Sequence, residues 1–329
     1  MEDSNMNDNS FKRNGLLAQK VIKGLASCNM TGCYAVRVVT LTLIFSLVLG
    51  LCSCTQSKPR PQSLITDVVE TNENTYECKF KEQTFKFMLF LPEKTDKNTP
   101  LILMLTGKGN NSSGFRLQTH MDEDACPRGY AVCYVQPAKG NGGWGWDCGL
   151  LEPGDVDSLE YLINLVIYLQ DEYGLSKTKA FAAGFSNGGY MIHRVAMEGS
   201  DIFLAGASVA GTMTALVWNE RQEKLNIGVL EIYGTKDDAV PQNGNGTAAK
   251  SPHPAIEEVM DYWASANGLD SSSVEALSDK SELTKITARS SKTQVWSVKI
   301  EDGVHEWPKE EIAGFNTNDL ILDYFDLFC

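Results

Sequence analysis

The chain has 329 residues, with 29 Lys+Arg against 42 Asp+Glu, a net charge of −13 and a pI near 4.8. Hydrophobic residues make up 43% and charged residues 22%, a globular composition rather than a disordered or collagen-like one. An acidic surface repels phosphate, which excludes nucleic-acid binding by a general basic face. Only one apolar run approaches membrane-spanning length, which excludes a multi-span transporter.

That run is residues 38–51 (VVTLTLIFSLVLGL), fourteen residues without a charge. It is short for a bilayer but fits the apolar centre of a signal peptide. Lys12, Arg13, Lys20, Lys23 and Arg37 precede it, and Leu51-Cys52-Ser53-Cys54 follows. The tetrapeptide resembles a bacterial lipobox, with Cys54 as the lipidated residue at the mature N-terminus. Cys52 would place bulky Leu51 where signal peptidase needs a small side chain. The basic leader is long, about 37 residues, which leaves Met30 open as the true start and an uncleaved signal anchor as the alternative. The expected organisation is a signal peptide over 1–54, a polar tether over 55–75 and one domain over 76–329. Removing the five basic and three acidic side chains of residues 1–54 leaves 24 against 39, a net charge of −15. Beyond Cys54 lie Cys78, Cys126, Cys133, Cys148 and Cys329, enough for two disulfides whose pairing stays open. No C-x-x-C spacing with a matching His points to zinc.

Residues 76–81 and 84–91 alternate as an antiparallel strand pair, and 101–105 (LILML) is a buried parallel strand feeding the Gly-rich Thr106-Gly107-Lys108-Gly109. A second buried strand is expected over 131–135. Apolar residues at helical spacing mark 155–173, ended by Gly174. There follow a strand at 179–185, a helix at 187–197, strands at 203–209 and 228–233, a helix at 256–266, a strand at 292–299 and a helix at 318–328. Such alternation predicts an α/β fold with a mainly parallel central sheet covered by helices on both faces.

Gly184-Phe185-Ser186-Asn187-Gly188 is the chain's G-x-S-x-G. Alone it is a weak signal, since a capping Ser in a Gly-rich turn reads the same way. Its place where a strand meets a helix is where a nucleophile elbow must lie. A serine hydroxyl needs a base, and in this fold the order is Ser, acid, His, which leaves His253 and His305. His305 follows the last strand, where the fold places its base; His253 sits between prolines. His193, two turns along the helix from Ser186, reads as a packing or polar core residue. Asp237 follows the 228–233 strand as the acid, with Asp238 its neighbour and Asp302 the local rival three residues from His305. The oxyanion hole draws on the amides of Asn187 and of the Gly107–Lys108 loop.

The segments PLILMLTGKGNNSSGF, GGWGWDCG, DVDSLEYLINLVIYLQDEYG, KAFAAGFSNGGYMIHRVA, AGASVAGT, YGTKDDAVP and GVHEWP occur in order. Through them, residues of about 76–328 resemble the secreted esterase family of bacterial feruloyl and acetyl-xylan esterases and polyhydroxybutyrate depolymerase-like proteins. The resemblance implies the α/β-hydrolase fold with Ser186, Asp237 and His305 as the triad and no cofactor or metal. One departure is Thr106-Gly107 where the family has His-Gly; that His supports the oxyanion loop.

Trp144 and Trp146 on a Gly-rich loop suit stacking on a sugar or phenyl ring, or else pin the loop to the body. Trp307 either walls the acyl pocket or packs. Asp155 and Asp157 read as helix caps rather than as a carboxylate pair. The resulting expectation is a lipid-anchored, extracytoplasmic serine esterase acting on feruloyl or acetyl esters of plant cell-wall polysaccharide. Short polyhydroxyalkanoate esters are the second substrate reading, and a glycan-binding lipoprotein without turnover is the rival of another class.

Overall fold

A computed structural model describes residues 60–140, 143–150, 156–244 and 253–329. The expected signal peptide and lipobox with Cys54, and Asp155, lie outside the described residues. Thirteen strands are β1 Thr66–Asn72, β2 Thr75–Phe80, β3 Gln83–Phe90, β4 Leu101–Leu105, β5 Ala131–Val135, β6 Lys139–Gly140, β7 Gly143–Trp144, β8 Ala180–Phe185, β9 Ala205–Val209, β10 Gly228–Gly234, β11 Ser271–Ala276, β12 Ser281–Thr287 and β13 Val295–Ile300. The main helices are α1 Ser112–Thr119, α2 Ser158–Glu172, α3 Asn187–Glu198, α4 Ile256–Ala266 and α5 Thr317–Asp326.

Eleven of these strands form one sheet in the order β1-β2-β3-β5-β4-β8-β9-β10-β13-β12-β11, while β6 and β7 make a small hairpin of their own. The six central strands from β5 to β13 run parallel. On β4, Leu101, Leu103 and Leu105 join one core layer and Ile102 and Met104 the other. Burial on both faces is why LILML shows no polar alternation. Helices α2, α3 and α4 cover the first face through residues such as Leu162, Ile192 and Trp263; α1 and α5 cover the second through Phe115 and Phe325. The sheet's C-terminal ends and the loops beyond them carry the site.

Both flanks of the sheet are antiparallel. Two elements there differ from the sequence expectation. The stretch expected to be tether contains β1, paired with β2 at the sheet edge, and Ser63 and Leu64 hydrogen-bond to Asn164 of α2. The β11–β12 hairpin lies between the helix expected at 256–266 and the strand expected at 292–299, where the sequence pointed to no element. Nearly every residue of β1 and all of β11 are exposed on both faces, so no apolar alternation marks either strand. Residues 61–329 form one compact unit. No helix among the described residues is long and apolar enough to cross a membrane.

Candidate active site

The turn from β8 into α3 places Ser186 at φ 54° and ψ −117°. That conformation costs an L-residue about 1–3 kcal/mol, so the surroundings must impose it. Close backbone packing does so: a Cβ on Gly188 would lie 2.0 Å from the Leu105 carbonyl oxygen. The Ser186 amide donates to the Val209 carbonyl at 2.9 Å, tying the elbow to the end of β9.

His305 reaches this serine from the loop after β13. Its Nε2 lies 2.9 Å from Ser186 Oγ and its Nδ1 lies 2.8 Å from Asp237 Oδ2. Asp237 is buried, and its other oxygen accepts the amides of Ala239 and Val240 at 2.9 and 2.7 Å. These amides fix the carboxylate's rotamer, so Nδ1–H points at it and Nε2 is left to accept the serine proton. Asp238 is exposed, and Asp302 pairs with Lys236 at 2.6 Å, so neither rival occupies the His305 position. His253 is buried against the Tyr190 ring, away from Ser186 Oγ.

Gly107 lies against the nucleophile: a Cβ there would stand 3.4 Å from Ser186 Cβ. Among the described residues, no backbone acceptor occupies the amides of Gly107, Lys108 or Asn187. The Asn187 amide starts α3, whose N-terminal end favours negative charge. Gly107 and the Asn187 amide thus flank Ser186, the arrangement that an oxyanion hole beside Ser186 Oγ requires.

The aromatic expectations need correction in part. Trp146 is 1% exposed; its indole N–H donates to the Thr106 carbonyl at 2.8 Å and its amide to Asn187 Oδ1 at 2.7 Å. It is therefore a brace for the oxyanion loop rather than a substrate platform. Trp307 is 6% exposed and meets Phe115 edge-on at 5.7 Å, which places it in the core beneath the His305 loop rather than in an acyl pocket. Trp144 alone presents its ring to solvent, 39% exposed, with the Lys139 ammonium 6.0 Å from the ring centre. In a regular strand a two-residue spacing would put both indoles on one side; β7 ends at Trp144, and the chain leaves the extended path before Trp146, so the two rings diverge.

Several supporting residues were not legible in the sequence. Arg194 on α3 holds the Asp147 carbonyl and carboxylate, Asp157 and Glu198, which fastens the Trp loop to the start of α2. Asp157 also caps α2 by accepting the Glu160 amide at 2.9 Å. Burial would raise the Asp157 pKa, but Arg194 and the capping amide outweigh it and hold the carboxyl below its usual value. Cys148 receives the Asn187 side-chain amide at 3.2 Å, and burial pushes its thiol up to about 12, which makes it inert. All five described cysteines are free thiols. No group of His, Cys, Asp and Glu among the described residues is arranged to hold a metal ion.

Residues 119–262 match the prolyl oligopeptidase family. Among solved structures, the acetyl xylan esterase from Aspergillus awamori superposes with a TM-score of 0.55 over 74% of this chain and 94% of that one, at 15% identity. The chain has the α/β-hydrolase fold. It is also 27% identical over 230 residues to NocK, a Nocardia uniformis subsp. tsuyamanensis protein assigned as an esterase, covering 64% of this chain and 65% of that protein. It is 26% identical over 126 residues to feruloyl esterase B of Thermothelomyces thermophilus (strain ATCC 42464 / BCRC 31852 / DSM 1799), covering 37% of this chain and 43% of that enzyme. The chain thus spans less than two thirds of the length of either curated relative.

Proposed function

We propose that this α/β-hydrolase is an extracytoplasmic serine esterase, anchored to a bacterial membrane by lipid on Cys54, that removes feruloyl or acetyl groups from plant cell-wall polysaccharide. The observation that carries the reading is the unbroken line Asp237 Oδ2–His305–Ser186 Oγ, with both links at 2.8–2.9 Å. In this reading Ser186 Oγ attacks the ester carbonyl while His305 Nε2 takes its proton. The oxyanion rests on the amides of Asn187 and of the Gly107–Lys108 loop. Collapse of the tetrahedral intermediate breaks the bond to the alcohol, which leaves with the proton from His305. Water, deprotonated by His305, then attacks the acyl-enzyme, and the acid departs as Ser186 regains its proton.

A relative named feruloyl esterase B supports the acyl group, and the exposed Trp144 supplies a ring on which a sugar or phenyl group can stack. The departure at Thr106, which in sequence favoured a non-catalytic lipoprotein, loses weight because Trp146 braces that carbonyl. The test compares methyl ferulate, 4-nitrophenyl acetate and a hydroxybutyrate oligomer, with Ser186→Ala as control. Ferulate release lost in the variant supports the feruloyl reading, and turnover of the acetyl ester alone moves the substrate to acetylated glycan. Preference for the oligomer favours a polyhydroxyalkanoate ester. Folded protein with no Ser186-dependent turnover of any ester overturns the esterase reading.

A further inference from the structure

Two ionisable residues lie buried directly behind the elbow, and the triad uses neither. His193 stands seven residues after Ser186 on α3, and Glu231 lies in the middle of β10; their side chains are 0% and 1% exposed. His193 Nε2 is 2.9 Å from Glu231 Oε2. On the opposite side of the ring, Trp263 of α4 gives its indole N–H to His193 Nδ1 at 3.1 Å. An indole N–H can only donate, so Nδ1 must carry a lone pair and the ring proton sits on Nε2. His193 is therefore a neutral imidazole that donates to Glu231. Burial independently depresses its pKa to about 3.

Glu231 also faces the other support of the nucleophile. Its register partner on β9 is Ser208, after which Val209, Ala210 and Gly211 form the loop that holds the elbow. Val209 accepts the Ser186 amide, and Ala210, at φ 49°, donates its amide to Ile232 at 2.8 Å. Gly211 packs backbone to backbone on Gly189: a Cβ on Gly211 would stand 2.7 Å from the Gly189 Cα and 2.7 Å from Ser208 Oγ. Burial holds Glu231 well above the usual carboxylate range, against the pull of the Ser208 hydroxyl and the Gly211 amide. Glu231 Oε1 and Ser208 Oγ are both buried, and neither has a fully aligned hydrogen-bond partner. A core built for stability alone would fill this position with an apolar side chain, because a buried carboxyl is costly there.

We propose that Glu231 and His193 form a clamp that positions Ser186, joining the nucleophile's helix to the 209–211 loop through one buried carboxyl group. They are positioning residues: they touch no reacting atom and act through α3 and the Val209 carbonyl. The proposal rests on the Ser186 hydrolase reading. A nucleophile displaced by a fraction of an ångström loses rate without losing substrate affinity.

The test uses the full chain with 4-nitrophenyl acetate, counting active sites by stoichiometric release from a fluorophosphonate. Glu231→Leu removes both connections, and His193→Phe removes the hydrogen bonds while keeping a ring against Trp263. Glu231→Gln keeps a carbonyl for the His193 proton. The clamp predicts turnover per titrated site lower by roughly 30-fold or more in Glu231→Leu and His193→Phe, with KM within about twofold, and Glu231→Gln within about threefold of the parent. Should Glu231→Leu give no titratable protein, His193→Phe carries the comparison. Fewer titratable sites, each turning over at the parent rate, would mean that the pair only stabilises the fold and would overturn the proposal. A parent protein without Ser186-dependent turnover would instead remove the hydrolase reading on which it rests.

Discussion

Trp146 donates its indole N–H to the carbonyl of Thr106, and the same residue's amide holds the side chain of Asn187. The loop after β4 and the start of α3, whose amides form the proposed oxyanion hole, are thereby attached to one buried tryptophan. Of the two indoles that read in sequence as substrate contacts or as anchors, Trp146 is the anchor and Trp144 lies in solvent.

Trp146→Phe keeps the packing and removes the donor. The Thr106 carbonyl is then unpaired and the Gly107–Lys108 amides lose their fixed direction. The expected result is a kcat lower by roughly 10- to 100-fold on 4-nitrophenyl acetate with KM changed by less than about threefold, somewhat less than outright loss of an oxyanion donor. Steady-state kinetics on the purified variant decide this.

Trp144→Ala separates the second indole from the first. The Trp144 ring lies in solvent, while its backbone carbonyl holds the Gly109 amide, so in the proposed reading the ring serves a large substrate and its removal leaves the backbone tie in place. KM for feruloylated xylan should rise about 3- to 10-fold, as one lost stacking contact implies, with kcat little changed. A fall in kcat equal to that of Trp146→Phe would show that the two indoles share one role.

Asp237→Asn should lower kcat by roughly 10⁴-fold while leaving the thermal midpoint within a few degrees. The asparagine can still accept the Ala239 and Val240 amides, but its NH₂ opposes Nδ1–H and turns the imidazole to the wrong tautomer. Asp238→Asn, at an exposed position, and Asp302→Asn, whose carboxylate pairs with Lys236, should each stay within about twofold of the parent.

The Arg194 network gives a pH-dependent stability prediction. Arg194→Met leaves Asp147 and Asp157 without their cation and should cost about 2 kcal/mol at pH 7, as for hydrogen bonds to charged groups. Since the folded Asp157 carboxyl lies below its ordinary value, its contribution is present above an unfolded pKa of about 4 and is lost as pH falls through the folded value. Urea midpoints of parent and variant should therefore converge below about pH 4. A gap that stays constant from pH 7 to pH 3 would show that lost packing, not the ion pairs, accounts for the cost.

The central fold was legible because β4, β5 and β8 are uninterrupted apolar runs and α2, α3 and α4 keep an apolar stripe. Ser186, Asp237 and His305 were legible because the elbow spacing and the chain order restrict each choice to a few candidates. On the flanks the β2–β3 pair was legible from its alternation, but the outermost strands were not, since β1 and β11 expose both faces and carry no periodic signal. Trp146 and Trp144 could not be told apart because composition on a loop says nothing about which ring turns inward. Of the Glu231–His193 pair only His193 was legible, as a polar core residue; Glu231 was not, because a single carboxylate in GVLEIY does not show which partner it meets until β9 and α3 close over it.

Every role proposed above depends on Ser186 being a nucleophile activated by His305. A fluorophosphonate probe followed by peptide mass spectrometry tests it without assuming any substrate. The prediction is one covalent adduct per chain on the peptide carrying Ser186, absent from Ser186→Ala and slowed at least about 100-fold in His305→Ala. Adducts on another residue, or no adduct on folded protein, would contradict it.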